Sequence, residues 1–345
     1  MKRIIFIYPT LSSFIKHDLA ILMTKFNVYH QNLSWQKKLA TPLNLLRQFI
    51  FILDKIKSTD AIIVSFAGYW SLFPIILGNL YKKPTFIILH GTDTVSMPQF
   101  NYGSLRKPVL RFFILSSIRN ATKLFPVSKY LIYSKNTYIN SIQGIKAYLS
   151  PKINLNYTVI PNGFKINDWI CAESKEKSFV SVISGNRFEL KGGEEILTIA
   201  KKYQNYIFYL VGSVDLEKIV NIPKNVVFLG YLNQKSLNKV FSKSQFYLQL
   251  SLSEGFGCSL AESMLCNCVP IVSCVNEMPN IVGENGFIVD KRSEDELLSI
   301  IEEAIKTDRN ILKEMGENAR NSIIDRYSLK QRKIKLIEEI ENYTN

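Results

Sequence analysis

The sequence predicts an α/β chain built from two doubly wound, parallel-sheet domains in series. Three observations carry that expectation. Short strand-like runs alternate with helical patterns along nearly the whole chain, which implies parallel sheets joined by right-handed crossovers. The runs are apolar with little alternation, as in strands covered on both faces. Composition also changes just after the turn signal PNG at 161–163. A chain of 345 residues exceeds one typical core. The domains are therefore set at 1–163 and 164–325, followed by a polar amphipathic helix over 326–345.

In the first domain, KRIIFIYP (2–9) is a strand and IKHDLAILMTKF (15–26) a helical pattern. AIIVSF (61–66), PTFIILHG (84–91), TKLFPVS (122–128) and YTVIPNG (157–163) continue the strands. Residues 61–81 carry no charge and are long enough to span a bilayer. Gly68, Pro74 and Gly78 interrupt them, so they read as a strand, a loop and a core-facing helix. The apolar run before Pro9 is too short for a signal-peptide core.

In the second domain, FVSVISG (179–185), YIFYLVG (206–212), NVVFLGY (225–231), FYLQLS (246–251), VPIVS (269–273) and NGFIVD (285–290) are strands. EEILTIAKKY (194–203), SLNKVFSKS (236–244) and ESMLCN (262–267) belong to helices.

Charge is unevenly placed. Residues 1–163 hold 20 Lys and Arg against 4 Asp and Glu, whereas residues 164–345 hold 23 against 25. The excess attracts anionic surfaces: lipid headgroups, nucleic acid or phosphorylated substrates. No nucleic-acid module is recognisable, and none is expected as a partner. Cys258, Cys266, Cys268 and Cys274 lack the paired spacing of a zinc site and read as reduced, small packing residues. A cytoplasmic protein, peripheral at the inner membrane face, is the predicted location.

Ligands of open parallel sheets bind at the carboxyl ends of strands. Two such ends carry unusual residues. FYLQLSLSEGFG leads from a strand through a glycine turn into CSLAESML, with Glu254 and Glu262 on either side. Gly255 and Gly257 would expose backbone N–H groups to a diphosphate. Glu262 also fits a Ser259-x-x-Glu262 capping box, which Glu254 cannot join. SVISGNRFELKGGEE places Arg187 and Lys191 beyond another strand, among Gly185, Gly192 and Gly193, as a phosphate clamp or a solvated turn. Cations for phosphates and carboxylates for hydroxyls are what a nucleotide-sugar needs.

On these motifs the second half resembles the donor domain of retaining GT-B glycosyltransferases of the family-4 type, whose Glu-x7-Glu hallmark runs here from Glu254 to Glu262. PNG (161–163), SGNRFELKG (184–192), VVFLGYL (226–232), PIVS (270–273) and NGFIVD (285–290) follow in the family order. The resemblance implies a GT-B fold, with two Rossmann-like domains facing across a cleft and a C-terminal crossover helix packing back on the N-terminal domain. It implies that Arg187 and Lys191 bind the donor diphosphate, Glu254 the sugar hydroxyls and Glu262 the ribose hydroxyls. Gly255, Phe256 and Gly257 would offer backbone amides, with Gly230 and Tyr231 beside the base. His90, ending the strand FIILHG, would stabilise or orient the transferred sugar, and Asp93 would touch the acceptor.

The implied reaction is transfer from a UDP- or GDP-sugar to a glycan or lipid-linked acceptor with retention of configuration, in cell-surface polysaccharide synthesis. No cofactor or metal is expected, because the cationic clamp takes the ion's place. Two departures stand out: YPTLSS replaces a Gly-Gly loop after the first strand, and the Arg187–Lys191 spacing is one residue short. LRKPVLRFFILSSIRNATK (105–123) mixes basic and aromatic residues, suiting either an anionic membrane surface or a core helix with a cationic face. The alternatives are a non-catalytic GT-B-like or basic binding protein and a GT-B-fold epimerase.

Overall fold

A computed structural model describes residues 1–345 apart from 36, 184–186 and 345. The chain divides into two compact units. The first holds Met1–Ser134, Ile142–Gly163 and Leu329–Asn345; the second holds Lys135–Ser141 and Phe164–Ser328.

The first unit runs β1 (Arg3–Tyr8), α1 (Ser13–Met23), β2 (Asn27–Asn32), α2 (Thr41–Lys55), β3 (Ala61–Ser65), α3 (Leu72–Leu80), β4 (Thr85–Leu89), α4 (Pro108–Asn120) and β5 (Lys123–Pro126). Its five strands are parallel in the order β2-β1-β3-β4-β5. β1, β3 and β4 are buried almost end to end, which is why they read as continuous apolar runs. Right-handed crossovers put α1 on one face of this sheet and α2, α3 and α4 on the other. A short ribbon, β6 (Ser134–Asn136) with β7 (Ser141–Gln143), follows.

The second unit runs β8 (Glu176–Val182), α5 (Gly193–Lys202), β9 (Ile207–Val211), β10 (Val226–Gly230), α6 (Gln234–Lys243), β11 (Ser244–Gln249), α7 (Cys258–Met264), β12 (Val269–Ser273), α8 (Met278–Val282), β13 (Phe287–Val289), α9 (Glu294–Lys306) and α10 (Arg309–Tyr327). The strands are again parallel, ordered β10-β9-β8-β11-β12-β13. Phe208, Phe179 and Phe246 are register partners on three adjacent strands. Their rings stack at 4.8 and 4.9 Å and fix the centre of the sheet.

The last helix, α11 (Leu329–Thr344), belongs to the first unit and packs against α1. Arg332 of α11 donates to both carboxylate oxygens of Asp18 of α1, at 2.6 and 2.7 Å, with side chains 2% and 0% exposed. It also donates to the carbonyls of Ile160 and Pro161.

Three expectations, on 157–163, on the unit boundary and on the start of the tail, need correction. The segment 157–163 is not a strand. It borders β5 through a bridge at Tyr157 and bonds from Thr158 and Ile160, and Pro161 has no N–H to continue the ladder. The chain does not divide cleanly at 163, since 135–141 join the second unit. The tail begins not at 326 but after Ser328, whose extended backbone (ψ 150°) ends α10. Residues 61–81 form β3 and α3, and among the described residues no helix is long and apolar enough to cross a membrane. Cys266 and Cys268 are buried, and among the described residues no three His, Cys, Asp or Glu are grouped to hold a metal.

Candidate active site

From β8 the second unit builds outward through β9 and β10, then returns to the other side of β8 with β11. The carboxyl ends of β8 and β11 thus form the switch point at which doubly wound sheets bind ligands. The turn after β8 passes through 189–191 to Gly192, which has φ 75°. The Leu252 N–H bonds to the Leu190 carbonyl at 2.9 Å, and a Cβ on Gly192 would lie 2.5 Å from Leu250. Glycine alone permits that backbone and that approach, which bring Lys191 beside the segment carrying Glu254.

Lys191 Nζ and Glu254 Oε1 form an ion pair, their side chains 15% and 11% exposed. The same oxygen accepts from Gln249 Nε2 and Ser251 Oγ, each at 2.7 Å. Asn276 Nδ2 holds the Glu254 carbonyl at 2.5 Å, while the buried Asn276 Oδ1 has no partner among the described residues. The Tyr247 hydroxyl lies 2.8 Å from Gln249 Oε1 and 2.7 Å from Ser259 Oγ, which links the Glu254 cluster to α7.

The capping-box reading of Glu262 fails. α7 starts at Cys258 behind Gly257 (φ 100°), so Ser259 is already inside the helix and its hydroxyl faces Tyr247 and Gln249. Glu262 therefore sits in the helix without a capping role. Burial pushes its carboxyl up to about 8, a costly arrangement for a structural residue. The Phe256 ring packs on Phe164 and Tyr327 at 6.1 and 5.2 Å, which leaves its backbone for any ligand contact.

The structure does not gather every predicted residue. Arg187 begins the 187–191 turn and is exposed; its carbonyl accepts from the Lys191 N–H at 3.0 Å. Gly185 lies outside the described residues. Gly230 ends the edge strand β10 and Tyr231 follows it, with β9 between β10 and β8. Gln249, Ser251, Tyr247 and Asn276 were missed by the sequence reading. All four flank the Glu254 turn, but uncharged residues at strand ends give no signal of their own.

In the first unit, His90 follows β4. Its ring lies between Phe14 and Phe66, at centroid distances of 4.7 and 4.3 Å, with Nε2 2.9 Å from Ser65 Oγ. Nδ1 is buried without a partner among the described residues. Burial, helped by the Arg332 charge, drives the imidazole well below its ordinary value, so it is neutral at pH 7. Asp93, the residue expected to touch the acceptor, is 1% exposed. It is buried and accepts the N–H groups of Ala67, His90 and Gly91, which organises the loop carrying His90.

Residues 170–322 match the family described as glycosyl transferases group 1. Over 186 residues the chain is 25% identical to the phosphatidylinositol N-acetylglucosaminyltransferase GPI3 subunit of Saccharomyces cerevisiae, covering 48% of this chain and 40% of that protein. It is 27% identical over 81 residues to O-antigen chain mannosyltransferase B of Escherichia coli, covering 24% of this chain and 21% of that one. The chain thus spans about two fifths or less of these relatives. Among solved structures, sucrose-phosphate synthase of Thermosynechococcus elongatus superposes with TM-score 0.78 at 13% identity, covering 99% of both chains. HepE of Anabaena, crystallised with UDP and glucose, superposes at 0.73 and 15%, covering 99% of this chain and all of the other. These likenesses show the fold, which is GT-B.

Proposed function

We propose that the chain transfers a sugar from a UDP- or GDP-sugar to a glycan or lipid-linked acceptor, with retention of anomeric configuration; the match of residues 170–322 to the glycosyl transferases group 1 family supports this reading. The observation that carries this reading is the meeting of Lys191 and Glu254 at the β8/β11 switch point, just before α7, which carries the half-buried Glu262. Lys191, with Arg187, neutralises the diphosphate. Glu254 already receives three donors on Oε1, so Oε2 takes the sugar hydroxyl. Glu262 takes the ribose hydroxyls, and the Gly255–Gly257 amides meet sugar and phosphate.

Negative charge grows on the departing nucleoside diphosphate, so a cation fixed there stabilises the transition state more than the bound donor. The acceptor hydroxyl attacks the anomeric carbon from the face the phosphate leaves, and that phosphate takes its proton. The scheme uses no protein nucleophile and no metal ion. His90 of the first unit is assigned to the transferred sugar, as a neutral imidazole. Cell-surface polysaccharide synthesis is the setting that the named activities of the E. coli relatives support, and the basic first unit suits an anionic membrane face.

Incubation with UDP- and GDP-sugars and a lipid extract tests this. Glycosylated lipid or glycan should form together with nucleoside diphosphate, and Glu254→Gln should abolish both. Turnover unaffected by Glu254→Gln would refute the assignment.

A further inference from the structure

The second unit's sheet is built from β8–β13, yet the unit also takes in residues 135–141, from within the first unit's stretch of chain. This segment carries the turn between β6 and β7. Asn136, 2% exposed, ends β6 with its carboxamide against the segment that leads to Glu254. Nδ2 donates to the Leu252 carbonyl at 3.0 Å, and Oδ1 accepts the Ile139 N–H at 3.3 Å. One partner is an acceptor and the other a donor, so the amide has a single satisfied orientation. Leu252 is fully buried and follows Ser251, which donates to Glu254 Oε1. Its N–H bonds to the Leu190 carbonyl at 2.9 Å. The Leu252 backbone is thus gripped at both polar groups, by the Lys191 turn on one side and by Asn136 on the other. Two residues beyond Asn136, the Tyr138 carbonyl accepts the Arg292 N–H at 3.3 Å, and Arg292 Nε donates to Glu195 Oε1 at 2.7 Å in the first turn of α5. α5 starts directly after the Lys191–Gly192 turn, so the segment 135–141 braces both sides of the Lys191–Glu254 pair.

We propose that Asn136 is a positioning residue of the donor site: its amide fixes the Leu252 carbonyl and so sets where the Glu254 carboxylate stands beside Lys191. A buried carbonyl left without a donor is unfavourable, and the backbone at 252 would turn to find one. Glu254 lies two residues on, and its Oε1 is tied to Ser251 and Gln249, so that turn carries the carboxylate with it. A displacement of about 1 Å is enough to cost much of the rate when groups must meet a substrate in one geometry. The Asn136 bond is made to the loop after β11 and not to a strand, so it supports the site rather than the sheet. The inference rests on the proposed donor chemistry, because Asn136 acts through Glu254.

The test compares the full wild-type chain with Asn136→Asp, Asn136→Ala and Glu254→Gln. Two quantities are read below each protein's melting temperature. One is affinity for UDP and GDP alone; the other is turnover of UDP-glucose, UDP-N-acetylglucosamine and GDP-mannose with a lipid extract. Asn136→Asp keeps the shape and the acceptor for Ile139, but sets a carboxylate oxygen against the Leu252 carbonyl. Asn136→Ala removes the donor without that repulsion, so it decides the matter if the first variant fails to fold. Both should lower kcat by about tenfold or more while nucleoside diphosphate affinity stays within about twofold, since Lys191 and Glu262 serve the nucleotide and Glu254 the sugar.

Wild-type turnover by the Asn136 variants, with Glu254→Gln inactive, overturns this proposal and leaves the donor reading standing. Nucleotide affinity that falls in step with turnover also overturns it, because Asn136 would then hold the unit together and nothing more. Turnover by Glu254→Gln at the wild-type rate strikes the donor reading itself, and this proposal falls with it.

Discussion

Lys191 and Glu254, 63 residues apart, meet at a single carboxylate oxygen. They come from the ends of two neighbouring parallel strands, and Gln249 and Ser251 donate to the same atom. The sequence reading gave the two residues separate ligands; the structure makes them partners before any ligand arrives. A cation and a carboxylate held together in a nearly dry site are organised to bind a molecule that carries both phosphates and hydroxyls.

That pairing separates two substitutions at position 254. Glu254→Gln keeps an oxygen for Gln249 and Ser251, and its melting temperature should stay near wild type while transfer is lost. Glu254→Ala leaves Lys191 and two donors unsatisfied and should cost ~1–3 kcal/mol as well. Thermal melts beside a turnover assay check both. Equal stability of the two variants would contradict the hydrogen-bonded cluster.

Gly192 tests the turn that delivers Lys191. Alanine there must adopt φ 75° and meets Leu250 at 2.5 Å. Gly192→Ala should destabilise by ~1–3 kcal/mol and weaken nucleotide binding together. Gly283→Ala is the control: φ is 57° there, but nothing lies within 4 Å of the added carbon. It should carry the backbone cost without the binding loss.

Glu262 predicts a pH dependence. Burial raises its folded-state value from 4.5 to about 8. The neutral form is thus favoured by folding, so this group's contribution to stability is full below about 4.5 and lost as pH rises through about 8. Ribose hydroxyls donating to the carboxylate would favour its ionised form. Nucleotide binding should therefore release a proton below about 8, and affinity should rise with pH up to that point and then level. Calorimetry in buffers of different ionisation heat reads the proton. A Glu262→Gln variant that still releases it would assign it elsewhere.

The Arg332–Asp18 pair fastens the last helix to the first. Asp18→Ala leaves Arg332 buried without its carboxylate and should cost about 3–5 kcal/mol. Truncation after Ser328 strands Asp18 in the same way and should lower the melting temperature of the first unit at least as far. A truncated chain that melts like the full one would deny the pair a structural role.

Much of this was legible in the sequence because its signals are local. Parallel strands buried on both faces announce themselves as apolar runs, and a charged residue beside a glycine turn at a strand end is conspicuous. The unread parts depend on what is distant in the chain. Asp18 looked like one polar residue in a helical pattern, because its partner lies 314 residues away. Ser259 and Glu262 had capping spacing, but the helix begins one residue before Ser259.

The most direct test of the donor site is titration of the wild-type chain and of Lys191→Ala with UDP and GDP. One nucleoside diphosphate should stabilise the wild type by about 2.7 kcal/mol at a hundred times its dissociation constant. Lys191→Ala should require about tenfold more of it, through loss of a charge-assisted contact. Binding of neither nucleotide, or equal binding by both proteins, would contradict a diphosphate held at the ends of β8 and β11.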